Sequence, residues 1–125
     1  MLFDTDVLVW VLRGNKKAAD RLDSTPTRYC SAVTYMELLS GVRNKEEQRI
    51  MLQFLRDAGF SIVSISEEIS HRAMVYMEQF ALSAGLELAD ALIAASAAEN
   101  NLSICTANDK HYKRIPGLAL VRFRP

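Results

Sequence analysis

An α/β fold, built as a parallel β-sheet sandwiched between helices, is predicted by three features of this 125-residue sequence. Short strand-like apolar runs alternate with helical patterns along the chain, the order that generates right-handed crossovers in one parallel sheet. The longest helical pattern carries a single apolar face: Ile69, Ala73, Met77, Phe80 and Ala81. Half of the residues are hydrophobic and 24% are charged, ordinary for a globular chain of one domain. No linker, low-complexity tract or internal repeat divides it, so residues 1–125 are read as a single domain.

Leu2-Phe3, followed by Asp4, reads as a short buried strand. Val7 to Leu12 is helical and ends at Gly14, with Asp6 placed to act as its N-cap. Lys16 to Leu22 is a second helix, closed by the turn cluster Ser24-Thr25-Pro26. Arg28 to Ser31 is the second strand. Thr34 to Ser40 and Glu46 to Ala58 are helices stopped by Gly41 and Gly59. Phe60 to Ile65 alternates like a half-buried strand, and Ser66 caps the long helix that Gly85 ends. Leu88 to Glu99 is a helix rich in alanine, which permits close approach to another backbone. Leu102 to Thr106 and Ala119 to Phe123 complete the strands.

The formal net charge is zero, so no global basic field marks a nucleic-acid binder. Charge is local instead: from Asp109 onward the tail carries Lys110, Lys113, Arg114, Arg122 and Arg124. Cys30 and Cys105 lack CxxC spacing and are expected as buried reduced thiols, which fits a cytoplasmic location. No signal peptide is expected, because the N-terminus lacks a basic region and enters a folded pattern at once. No membrane span is expected either. The apolar stretch from Leu88 to Ala98 is too short and contains Asp90. His71 and His111 have no zinc-site spacing, and neither a GxSxG elbow nor a Gly-rich phosphate loop occurs.

Four acids stand in distinctive settings. Asp4 and Asp109 follow strands, while Glu37 and Asp90 lie in the first turns of helices. In a parallel sheet, strand C-termini and the following helix N-termini share one edge, so the four can converge there. Carboxylates held close must protonate or bind cations. Hard cations such as Mg²⁺ take oxygen ligands, and such ions activate water and stabilise the leaving oxygen of a phosphodiester. Each acid also has a structural reading. Glu37 completes a capping box with Thr34, Asp90 complements a helix N-terminus, and Asp109 suits a turn with Asn108. Asp4 is the hardest to explain structurally, because a buried strand seldom ends in an unpartnered acid.

Leu2-Phe3-Asp4-Thr5-Asp6-Val7-Leu8, Thr34-Tyr35-Met36-Glu37-Leu38-Leu39-Ser40-Gly41, Ala89-Asp90-Ala91-Leu92-Ile93-Ala94-Ala95 and Thr106-Ala107-Asn108-Asp109 occur in this order over nearly the whole chain. This series resembles the PIN-domain ribonucleases, in particular the VapC toxins of prokaryotic toxin–antitoxin pairs. The resemblance implies a parallel sheet between helices and Mg²⁺- or Mn²⁺-dependent cleavage of RNA. It also implies a homodimer, and inhibition by a cognate antitoxin whose tail enters the acidic groove. Asp4 and Asp90 would be metal ligands, Glu37 the third acid, and Asp109 the fourth. Thr5, Asp6, Thr106 and Asn108 would support the site. Asp6 departs from the commoner Asn or Ser, and the usual fourth position is occupied here by Asn108; some relatives carry an acid where this chain has His111.

The expected function is therefore a metal-dependent endoribonuclease acting as a toxin, with Lys110, Lys113 and Arg114 holding the RNA backbone. Two alternatives fit the same residues. One is a haloacid-dehalogenase-like phosphatase with Asp4 as nucleophile and Asp6 as acid/base. The other is an inactive PIN-like module whose acidic groove binds a basic peptide.

Overall fold

The computed structural model describes residues 1–125. Five parallel strands form one sheet: β1 (Leu2–Phe3), β2 (Tyr29–Ser31), β3 (Ser61–Val63), β4 (Ile104–Thr106) and β5 (Leu120–Arg122), in the spatial order β3-β2-β1-β4-β5. Six helices cover it: α1 (Thr5–Leu12), α2 (Lys16–Asp23), α3 (Ala32–Gly41), α4 (Lys45–Asp57), α5 (Glu67–Ala84) and α6 (Leu88–Glu99). A short 3₁₀ turn spans Asp109–His111. The predicted α/β sandwich is thus the observed one. No helix is long and apolar enough to cross a membrane.

The sheet separates two cores, as expected when both faces of a parallel sheet are covered. Side chains alternate along a strand, so adjacent residues serve opposite cores. Leu2 and Ile104 pack with Ile69, Ala73 and Tyr76 of α5 and the alanines of α6. Phe3 and Cys105 pack with Val7 and Leu8 of α1, Leu22 of α2, and Met51 and Leu55 of α4. Phe3 also meets Phe60 edge-to-face, centroids 5.7 Å apart. Ala91, Ala94, Ala95 and Ala97 are fully buried, which is the close approach that the alanine run of α6 predicts.

Two helix starts lie two residues earlier than expected, and both differences bear on the site. α1 begins at Thr5, not Val7, because Asp4 is its N-cap and accepts the Thr5 N–H at 2.8 Å. Asp6 therefore does not cap the helix. It sits within the first turn. α3 begins at Ala32, capped by Ser31, whose hydroxyl oxygen accepts the Val33 N–H at 3.1 Å. Thr34 is thus already inside α3, and Glu37 has no capping role.

Candidate active site

Because all strands run the same way, the end of β1, the end of β4 and the start of α6 meet at one sheet edge. A cleft of about 380 Å³ opens there, lined by Asp4, Thr5, Asp6, Trp10, Arg13, Glu37, Glu87, Asp90, Asn108 and His111, among others. Carboxylates dominate the lining, with one guanidinium and one imidazole among them.

Asp4 is the most constrained of these acids and only 8% exposed. Its Oδ1 accepts the Thr5 N–H, and its Oδ2 accepts both the Thr106 and the Tyr112 hydroxyls, each at 2.9 Å. Burial pushes its carboxyl above the usual range and the charge of Asp90 adds to that, while the hydrogen bonds from Thr106, Tyr112 and Thr5 oppose it. Thr106 gives its only proton to Asp4, and its oxygen accepts the Asn108 N–H at 2.9 Å. Burial and the neighbouring carboxylates push the Tyr112 phenol upward, so Tyr112 remains a donor at every working pH.

Asp6 stands beside this cluster. Its Oδ2 accepts the Ala107 N–H at 3.1 Å, and its Oδ1 is buried without any partner. Burial first, and then the charge of Asp4, push its carboxyl up to about 7. An orphaned, desolvated carboxylate oxygen at the edge of a cleft is costly unless a donor or a cation meets it.

Glu37 and Asp90 approach from α3 and α6. Glu37 is exposed, and its Oε1 lies 2.7 Å from the Thr5 hydroxyl, which is also 3.0 Å from the Thr34 hydroxyl. A carboxylate only accepts, so Thr5 donates to Glu37 and takes the Thr34 proton in turn. Asp90 sits at the third position of α6, and its Oδ2 accepts the Glu87 N–H at 3.3 Å. The helix-start reading of Asp90 is therefore correct, and it holds together with the placement in the cleft. The same Oδ2 is 3.2 Å from His111 Nδ1, while His111 Nε2 is 3.1 Å from the Asn108 amide nitrogen. A neutral imidazole protonated at Nδ1 satisfies both contacts at once.

Asp109, expected as the fourth acid, does not line the cleft. Its carboxylate turns toward β5 and pairs with Arg122 at 3.2 Å, because the 3₁₀ turn directs Asn108 and His111 inward instead. Lys110, Lys113 and Arg114 are exposed on the segment that follows β4, and none of them forms an ion pair. Sequence reasoning missed Tyr112, Thr34 and Glu87. Nothing in the spacing of Tyr112 within a basic tail signals a bond to Asp4; only the fold does. The spacing of His111 suggests no zinc site and assigns it no other role in the sequence, whereas the fold makes it the partner of Asp90.

No three His, Cys, Asp or Glu side chains cluster as a ready-made metal cage. The cleft offers instead a pair, Asp4 and Asp90, whose charges act on one another, with Asp6 adjoining. Mg²⁺ is commonly held by only one or two carboxylates and keeps several waters. The all-oxygen donor set, the mutual repulsion and the orphaned Asp6 Oδ1 fit a hard divalent cation.

The model of the PIN domain family matches residues 1–118. The fold recurs in 31 solved chains. A toxin–antitoxin complex from Klebsiella pneumoniae is 30% identical with a TM-score of 0.80, covering 96% of this chain and 94% of that one. FitAcB from Neisseria gonorrhoeae is 25% identical with a TM-score of 0.74, covering 97% and 96%. VapBC2 from Rickettsia felis, bound to a DNA fragment from its promoter, shares the fold at 22% identity, with a TM-score of 0.83 and 98% of each chain covered. Among curated proteins none matches this chain.

Proposed function

The chain belongs to the PIN-domain family of nucleases, and on that premise we propose that it is the toxin of a toxin–antitoxin pair, a Mg²⁺- or Mn²⁺-dependent endoribonuclease. The observation that carries this reading is the facing of Asp4 and Asp90 across one cleft, with Glu37 and Asp6 on the same rim. The likeness to the Klebsiella pneumoniae toxin–antitoxin complex supports an antitoxin partner.

Asp4 and Asp90 would hold the cation, with Asp6 adjoining. When bound, the cation supplies an activated water and neutralises charge on the phosphodiester. The chain's own residues set the geometry. Thr106 and Tyr112 fix the Asp4 carboxylate from one side and the α1 N-terminus fixes it from the other. Glu87 and His111 fix Asp90, and Asn108 acts through His111. Thr5 holds Glu37 at the mouth of the cleft, where a carboxylate can orient a water or accept its proton. Lys110, Lys113 and Arg114 are free to meet RNA phosphates. In this reading Asp6 takes the place that Asp109 was expected to fill.

The test is cleavage of cellular RNA by the purified protein with Mn²⁺ or Mg²⁺ and with EDTA, with the RNA ends mapped. The reading expects metal-dependent internal cuts that Asp90→Asn abolishes. The loss should exceed the roughly 10–100-fold that follows removal of a partner outside the metal's own ligands. Equal cleavage in EDTA, or full activity in Asp90→Asn, sinks it.

A further inference from the structure

A second charged groove lies beyond the acidic cleft on the same sheet edge. Its volume is about 620 Å³, and its lining includes Lys17 and Arg21 from α2 with Arg122 and Arg124 from the end of β5. Buried Phe123 forms part of its wall. The one acid there, Asp20, is engaged by Lys16 at 3.1 Å. Lys17, Arg21 and Arg124 have no ion-pair partner, and the only partner of Arg122 is Asp109. Four cations around one groove repel each other, and a polyanion relieves that repulsion.

The topology relates this groove to the cleft. Asp4 follows β1 and Arg122 ends β5, two strands away in the order β1-β4-β5, with Thr106 opposite Arg122 in register. Strands lie about 4.8 Å apart, so the two tips are separated by about 10 Å. Asn108 lines the acidic cleft and its neighbour Asp109 pairs with Arg122, which makes the two regions continuous. The sheet edge thus passes from acid at β1, through hydroxyl at β4, to base at β5.

We infer that the groove formed by Lys17, Arg21, Arg122 and Arg124 is a phosphate-backbone subsite, which holds the RNA strand on the β5 side of the scissile phosphate. This rests on the ribonuclease reading and adds a direction to it: the strand crosses the sheet edge from β1 toward β5. Guanidinium groups bind phosphate oxygens without reading bases, so the subsite sets position and affinity, not sequence preference.

The test is binding of a labelled single-stranded RNA oligonucleotide in EDTA, by fluorescence anisotropy, over a series of salt concentrations. In the double variant Arg21→Gln/Arg124→Gln, the slope of log affinity against log salt should fall by about 0.7 for each phosphate that the protein no longer neutralises, and affinity should weaken alike for unrelated RNA sequences. Lys45→Gln, an exposed cation on α4, should leave the slope unchanged. Arg21 is half-buried, so the exposed pair Lys17→Gln/Arg124→Gln repeats the test should the first variant fail to fold. An unchanged slope in the folded variants overturns the inference. So does unchanged RNA binding with lost binding of polyglutamate, which would assign the groove to an acidic protein segment. A wild-type protein that shows the groove-dependent slope but cuts no RNA with Mn²⁺ would keep the subsite and remove the ribonuclease reading.

Discussion

The Tyr112 hydroxyl donates to Asp4 Oδ2 at 2.9 Å, a buried bond between residues 108 positions apart in sequence. It closes the chain's last third onto its first four residues. It also leaves Asp4 Oδ2 with two donors, Tyr112 and Thr106, aimed at one oxygen. Tyr112→Phe should therefore cost about 1.5–3 kcal/mol, the usual contribution of a hydrogen bond to a charged group. Urea denaturation at neutral pH checks this; a loss below about 0.5 kcal/mol, at the low end for even a neutral bond, would mean that Asp4 does not depend on the phenol.

Asp6 makes the metal-free protein sensitive to pH. Its carboxyl is raised from 3.8 to about 7 in the folded state. Below 3.8 this contribution to stability is fully present, and it is lost as pH rises through about 7, where the buried group must ionise. Asp4 shifts in the same direction. In EDTA the melting temperature should fall between pH 5 and pH 8. Asp6→Asn, which keeps an oxygen for the Ala107 N–H, should flatten that fall. Identical pH profiles for the two proteins would contradict the assignment.

Asp109→Asn should leave RNA cleavage within about twofold of wild type and cost less than about 1 kcal/mol of stability, since it removes only a partly exposed ion pair with Arg122. Steady-state cleavage and a thermal melt measure both. A loss as large as that of Asp90→Asn would return Asp109 to the catalytic set.

Burial pushes the Cys30 and Cys105 thiols up to about 11. A thiol-specific reagent at pH 8 should modify neither in the native protein and both in denaturant. Rapid labelling of native protein would contradict the buried placement.

The α/β sandwich was legible because short strands alternate with one-faced helices, and the sequence pattern of α6 matches its observed bounds, Leu88–Glu99. The convergence of Asp4, Glu37 and Asp90 was legible for a topological reason: a parallel sheet collects strand ends and helix starts at one edge. Errors arose where a cap decided a helix start. Asp4 and Ser31 cap earlier than the patterns suggest, which releases Asp6 and Glu37 from capping. The side to which Asp109 turns is not legible, because a 3₁₀ turn, not spacing, decides which of Asn108, Asp109 and His111 faces the cleft. Tyr112 could not be found at all, since its partner is fixed only by the pairing of β1 with β4.

The central claim is that Asp4 and Asp90 together bind a divalent cation. Calorimetric titration of Mn²⁺ into the wild-type protein, Asp4→Asn and Asp90→Asn tests it most directly. Uptake by the wild type is expected, with its loss in each variant while the fold is retained by circular dichroism. No uptake by the wild type, or undiminished uptake by both variants, would contradict it and leave a PIN fold whose acidic cleft serves only to bind a partner.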